Sequence, residues 1–326
     1  MTVCPAGSYC PDSSNKPTPC PPGTFSATTG LQKVEDCTPC TAGKYCQGSG
    51  LTAVTGDCDA GYYCKSFAIS KMPSEDTSTA VEADKKFGPC ITGYYCPQGT
   101  GSPVACPAGK YNDALMASAL TDCKPCLPGK YCDGTGNKVP DGDCDPGYYC
   151  PGGDSTKTPA TACAAGEYCP AGSSLNTKCP AGTYTGSAQL AACADCPEGK
   201  FCVAGTSTPQ DCPAGYYCPL KTQFGTQFPC PKGKYNRILG KKQESECLVC
   251  PAGSVCEFSG TADETATKCQ AGYYCLQGST YEIPESSTYG GMCAPGEFCP
   301  LGSGTAQPCT GGKYCEKYLL AAVSGD

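Results

Sequence analysis

Strict alternation of apolar and polar positions lasts only three or four residues anywhere in this chain before a glycine or proline interrupts it, so long strands are not expected. What recurs instead is a short block, Cys-x-x-Gly-x-aromatic. It starts at Cys4, Cys20, Cys40, Cys58, Cys90, Cys106, Cys126, Cys144, Cys163, Cys179, Cys196, Cys212, Cys230, Cys250, Cys269, Cys293 and Cys309. These seventeen repeats, numbered here in chain order, have a mean period of about 19 residues, in the range of solenoids and arrays. Each predicts one turn and one short hairpin. In Cys-Pro-Ala-Gly, proline at the second position and glycine at the fourth fit a type I β-turn. The aromatic two residues on, replaced only by Val255, is the expected core position, packed on a disulfide and on the turn of a neighbour.

Every repeat contains two cysteines, which accounts for all 34. Thirteen short repeats place the second directly after the aromatic, as in Cys4-Pro-Ala-Gly-Ser-Tyr-Cys10. Four long repeats delay it, and there no other cysteine interrupts the spans Cys20 to Cys37, Cys106 to Cys123, Cys179 to Cys193 and Cys230 to Cys247, so those pairs are the expected disulfides. A staple across about 16 intervening residues removes roughly 3 kcal/mol of unfolded-state entropy in the chain-entropy model. In the short repeats, pairing within a repeat and pairing to the next both remain open.

The long repeats divide the chain into supermodules of the form short, long, short, short: 1–89, 90–162, 163–211 in a shortened form, 212–292, and 293–326 as the start of another. Two stretches depart from the period. Lys65 to Pro89 is the longest gap without cysteine, where Ser74-Glu75-Asp76 precedes a charged run and predicts a helical turn or a loop; Leu276 to Met292 is the second. Both are expected as surface insertions and partner sites. No apolar leader precedes Cys4, so the sequence is expected to be a mature product or a fragment of a longer precursor that continued past Asp326.

Composition explains why the staples are needed. Leu, Ile, Val and Phe make up about 11% of the 326 residues, too few for a large hydrophobic core, while 34 cysteines exceed the roughly 8–10% that marks a disulfide scaffold. Such cysteine use belongs to an oxidising compartment, outside the cell or at its surface. The expected fold is therefore a small disulfide-rich repeat array: an elongated, solenoid-like rod of short β-hairpins and turns with little regular secondary structure.

Charge and residue inventory remove several classes of function. The net charge is −7, with Arg237 the lone arginine, and the one basic cluster, Lys232, Lys234, Arg237, Lys241 and Lys242, reads as solvated surface rather than a nucleic-acid site. No apolar run approaches the roughly 20 residues of a membrane helix. Without histidine a Ser-His-Asp triad is impossible, and no enzyme activity or cofactor is expected. The four Cys-x-x-Cys joints have zinc-ligand spacing but identical repeat-joint flanks, and Asp57-Cys-Asp59 and Asp141-Gly-Asp143-Cys-Asp145 do not match a twelve-residue calcium loop, so no metal is expected. The sequence has no Asn-x-Ser/Thr acceptor; its many Ser and Thr residues leave O-linked glycans open. Five doubled tyrosines leave one ring of each pair, Tyr62, Tyr94, Tyr148, Tyr216 and Tyr273, as the expected contact surface.

The Cys-Pro-Ala-Gly-Lys/Thr-Tyr…Cys-x-x-Cys repeats at Cys106 and Cys179 resemble the ephrin-receptor-like cysteine-rich repeat, itself similar to the cysteine modules of tumour necrosis factor receptors. The resemblance covers essentially the whole chain. The Tyr-Tyr-Cys repeats resemble the arrays of protist surface proteins more than a kinase receptor. It implies an extracellular structural protein that forms or coats a filament, appendage or surface layer by self-association. The alternative it implies is the ectodomain or stalk of a receptor or adhesin that binds a protein or glycan.

Overall fold

The computed structural model describes residues 2–77, 84–264, 267–284 and 286–323. Two compact halves are distinguished, residues 1–162 with 170–175, and 163–169 with 176–326. Each is a succession of disulfide-stapled hairpins built on one rule. Among the described residues there are thirteen two-stranded antiparallel sheets and no larger one. Each pairs the residues just after the repeat's glycine with those just before the next repeat's first cysteine, as in Ser8 with Pro19 and Tyr9 with Thr18. Repeats 8, 12 and 14 reduce the pair to the single bridges Tyr148–Ala162, Tyr216–Pro229 and Ser254–Lys268.

All seventeen disulfides close within their own repeat, with Cα–Cα distances from 5.7 to 6.5 Å, near the usual span. The long repeats bond Cys20 to Cys37, Cys106 to Cys123, Cys179 to Cys193 and Cys230 to Cys247. In the short repeats, where the sequence left two pairings open, the first cysteine bonds the second six residues on, as in Cys126–Cys132.

The turn is displaced by one residue from the expected position. In every repeat the hydrogen bond runs from the residue after glycine to the carbonyl of the residue after cysteine, as from Ser8 N–H to Pro5 O at 3.2 Å. Glycine is thus third in the turn, and its φ lies between 77° and 91° in all seventeen repeats, the signature of a type II rather than a type I turn. Glycine is required for a second reason as well. A Cβ on Gly129 would collide with the carbonyl oxygen of Gly172, two repeats on, and the same approach recurs from Gly7 against Gly50 to Gly272 against Leu319.

This close approach belongs to a joint that repeats within each half. The glycine carbonyl accepts from the first cysteine N–H of the next repeat, as Gly109 O does from Cys126 at 2.8 Å, and its own N–H donates to the seventh position of that repeat, as Gly109 does to Cys132 O at 3.0 Å. The residue two repeats on that meets the glycine is left-handed too. Glycine fills that place in most repeats, but Phe67, Met116, Lys221 and Leu319 hold it at φ from 59° to 66°.

Apolar packing is confined to small clusters at the joints. Tyr45 packs on Cys58 and Cys64, Tyr63 on Cys90 and Cys96, Tyr111 on Cys126 and Cys132, and Val255 on Cys269 and Cys275. The sixth-position side chain of one repeat thus covers the disulfide of the next, and Val255 does so without a ring.

In the long repeats the displaced second cysteine leaves its usual place to Ser26, Asn112, Thr185 or Asn236, each at most 2% exposed. Burying a polar group without partners is costly, and all four are satisfied. Asn112 Nδ2 donates to Tyr94 O at 2.9 Å and to Ala114 O at 3.1 Å, while its Oδ1 accepts from Ala114 N–H. Asn236 repeats this with Tyr216 O and Ile238 N–H. Thr185 Oγ1 donates to Glu167 O and accepts from Gly166 N–H, and Ser26 closes a local turn with Thr28.

Candidate binding surfaces

The five first-position tyrosines each follow a turn glycine. All five are half-buried. Tyr62 Oη donates to Met116 Sδ at 3.4 Å, and the Tyr94 and Tyr216 rings lie against Gly136 and Gly260. Met116, Gly136 and Gly260 are the left-handed residues two repeats on, so these rings help to seat the joint. Tyr94 also packs on the Tyr63, Cys90 and Cys96 cluster, and Tyr273 on that of Val255, Cys269 and Cys275. The exposed tyrosines lie elsewhere, at Tyr281, Tyr289, Tyr314 and Tyr318. Tyr281 and Tyr289 fall in the second insertion, whose irregular spacing was their one sequence signal.

Both insertions grow from an extended ladder of three residue pairs instead of two, Tyr62–Cys64 with Phe87–Pro89 and Tyr273–Cys275 with Gly290–Met292. In the first, Ser74, Glu75 and Asp76 follow an irregular path and not a helical turn, and 78–83 lie outside the described residues. Asp76 is buried; its N–H donates to Phe87 O and its carboxylate accepts from Lys86 N–H at 2.8 Å, which ties the insertion to the ladder. Glu75 pairs with Lys85. The second insertion encloses a cavity of about 170 Å³ beside Tyr281, Pro284 and Tyr289.

Two adjoining clefts of about 400 Å³ each flank the first insertion and share Tyr63, Ile91 and Lys138. Tyr94, Pro103, Gly136 and Lys65 complete one. Glu75, Gly88, Pro89, Thr92 and Leu115 complete the other.

The acidic clusters are engaged in ion pairs. Residues 4–64 and 90–150 match cysteine for cysteine at a constant offset of 86, and the pairs follow the same offset. Asp57 pairs with Lys44 and Asp143 with Lys130 across a hairpin, while Asp59 pairs with Lys71 and Asp145 with Lys157. The hydrogen bond from Lys157 to Asp145 holds the ammonium above the ordinary lysine range. The Asp141 carboxylate accepts from Asp133 N–H at 2.6 Å. No group of three potential ligands gathers to hold a metal ion among the described residues. Each Cys-x-x-Cys joint divides its cysteines between two disulfides, as Cys123 bonds Cys106 and Cys126 bonds Cys132. The basic cluster is largely paired, Lys234 with Glu244, Lys241 with Glu246 and Arg237 with Asp263 and Glu264. The Asp263 hydrogen bond raises the Arg237 guanidinium further above its already high range.

Among the described residues no helix is long and apolar enough to cross a membrane. No family model matches the chain. It is similar to the putative white-brown complex homolog protein 30 of Arabidopsis thaliana, 28% identical over 131 residues, a match that takes in 31% of this chain and only 12% of that protein's length.

Proposed function

We propose that this chain is an extracellular, non-enzymatic structural protein whose ephrin-receptor-like repeats form or coat a filament, appendage or surface layer by self-association. The observation that carries this reading is the uniformity of the joint. Within each half, every repeat meets the next through the same two backbone hydrogen bonds and the same glycine. Most of the sequence is thereby committed to holding the array together, as a scaffold requires. Seventeen disulfides fit an oxidising compartment. Electron microscopy of native, non-reduced material is the test: filaments with an axial repeat that disappear on reduction are expected, and isolated, unassociated molecules overturn the proposal.

A second reading is the stalk or ectodomain of a larger cell-surface protein that binds a protein or glycan. The Arabidopsis similarity favours it, because the matching stretch there is a small part of a much longer chain. Exposed Ser and Thr residues in the inter-repeat loops would take O-linked glycans in either setting.

A further inference from the structure

We propose that the groove between the first insertion and repeats 5 to 7 binds an acidic sugar, a carboxylate-bearing ring at the end of a glycan. The proposal does not rest on self-assembly. Its two clefts, about 400 Å³ each, lie in the range of small-ligand sites and run together over Tyr63, Ile91 and Lys138.

The floor is built in advance of any ligand. Tyr63 is 2% exposed and packed on the Cys90–Cys96 staple with Tyr94. The Tyr94 backbone is held by the buried Asn112 amide at 2.9 Å and by pairing with Ala105, and its ring is backed by Gly136. Ile91 and Pro103 extend this surface. Rings and C–H groups of this kind suit the apolar face of a pyranose, and Thr92 and the Tyr94 hydroxyl offer partners for its hydroxyls.

Charge selects the acid. Lys138 borders both clefts, is exposed, and has no ion-pair partner among the described residues, whereas most lysines of the hairpins face an aspartate. In a chain of net charge −7 the Lys138 ammonium, placed on both clefts, is the charge that draws an anion. Glu75 on the far wall is neutralised by Lys85. The floor is also particular to this place. Repeat 16, which follows the other long insertion, has Ala294 and Glu297 where repeat 5 has Ile91 and Tyr94.

The test is titration of the oxidised full chain with a glucuronate-terminated disaccharide, its neutral glucose counterpart and an acidic hexapeptide, followed by calorimetry. Binding of the acidic disaccharide is expected, with at least about ten-fold weaker binding of the neutral one. Lys138→Glu is expected to weaken the acidic sugar by about ten-fold or more and to abolish its preference over the neutral sugar. Ile91→Gln and Tyr94→Thr should weaken both sugars. These two variants introduce residues the array already carries at the same positions, Gln270 and Thr24, and circular dichroism of each oxidised variant checks its fold before titration. No binding of either sugar, equal binding of the two, preference for the peptide, or an unchanged affinity in Lys138→Glu overturns the proposal.

Discussion

At the scale of single residues, glycine and small polar side chains decide the structure. The need for glycine at the fourth position was legible from its occurrence in all seventeen repeats, but its main cause was not. The crowding carbonyl comes from two repeats away, and no local pattern reveals that approach. Gly129→Ala is expected to cost more than the roughly 1–2 kcal/mol of a left-handed alanine, because its Cβ also meets the Gly172 carbonyl. Gly312→Ala, where nothing lies within 4 Å, should cost only that intrinsic amount; denaturant unfolding of the two oxidised variants measures the difference. Asp122 supplies a pH-sensitive contact. Hydrogen bonds from the Ser118 and Ala119 backbone hold its carboxyl below the usual aspartate range. A depressed folded pKa stabilises above the unfolded value of about 3.9, and that contribution is lost as pH falls through the folded value. Asp122→Asn should therefore remove part of the loss of stability below about pH 4 and leave the profile near neutrality flat, as followed by unfolding at stepped pH. The buried Ser26, Asn112, Thr185 and Asn236 were missed because the long repeats read as extended spacings. Laying a long repeat over a short one, position by position, would have placed all four on a cysteine.

At the scale of the hairpin, the staple and the joint share the work. Sparse secondary structure was readable from 73 glycines and prolines, as was an aromatic packed on a disulfide. The short-repeat pairing was not, because both candidate partners lie within one period of each other. Within the tyrosine doublets, Tyr62, Tyr94 and Tyr216 lie against the left-handed residue two repeats on and Tyr63 covers the next staple, contacts that the doublet pattern alone does not reveal. Staple length sets the expected cost of removal. Replacing Cys126 and Cys132, six residues apart, by alanine should cost about 2.4 kcal/mol in the chain-entropy model, against about 3.2 kcal/mol for Cys106 and Cys123, 17 apart. Calorimetric melting of the two double variants, each with every other disulfide intact, checks the order.

At the scale of the whole molecule, covalent links replace a core. The ion pairs along the hairpins are exposed, and such pairs contribute at most about 1 kcal/mol each. Full reduction is therefore expected to unfold both halves, while 1 M salt in the oxidised state shifts the melting point little; circular dichroism under the two conditions separates the contributions. Array class and period were legible at this scale. The irregular paths of the insertions and the clefts beside them were not, because they arise where the period is broken. The two-repeat reach of the joint has a consequence for the gene. A repeat excised or duplicated whole within one half leaves its neighbours with equivalent partners, since the junctions there use the same cysteine and glycine backbone bonds. Recombination between segments of the same pattern would then yield chains of different length that all fold, so molecular length is free to drift or to be selected as a ruler without any redesign of the interior.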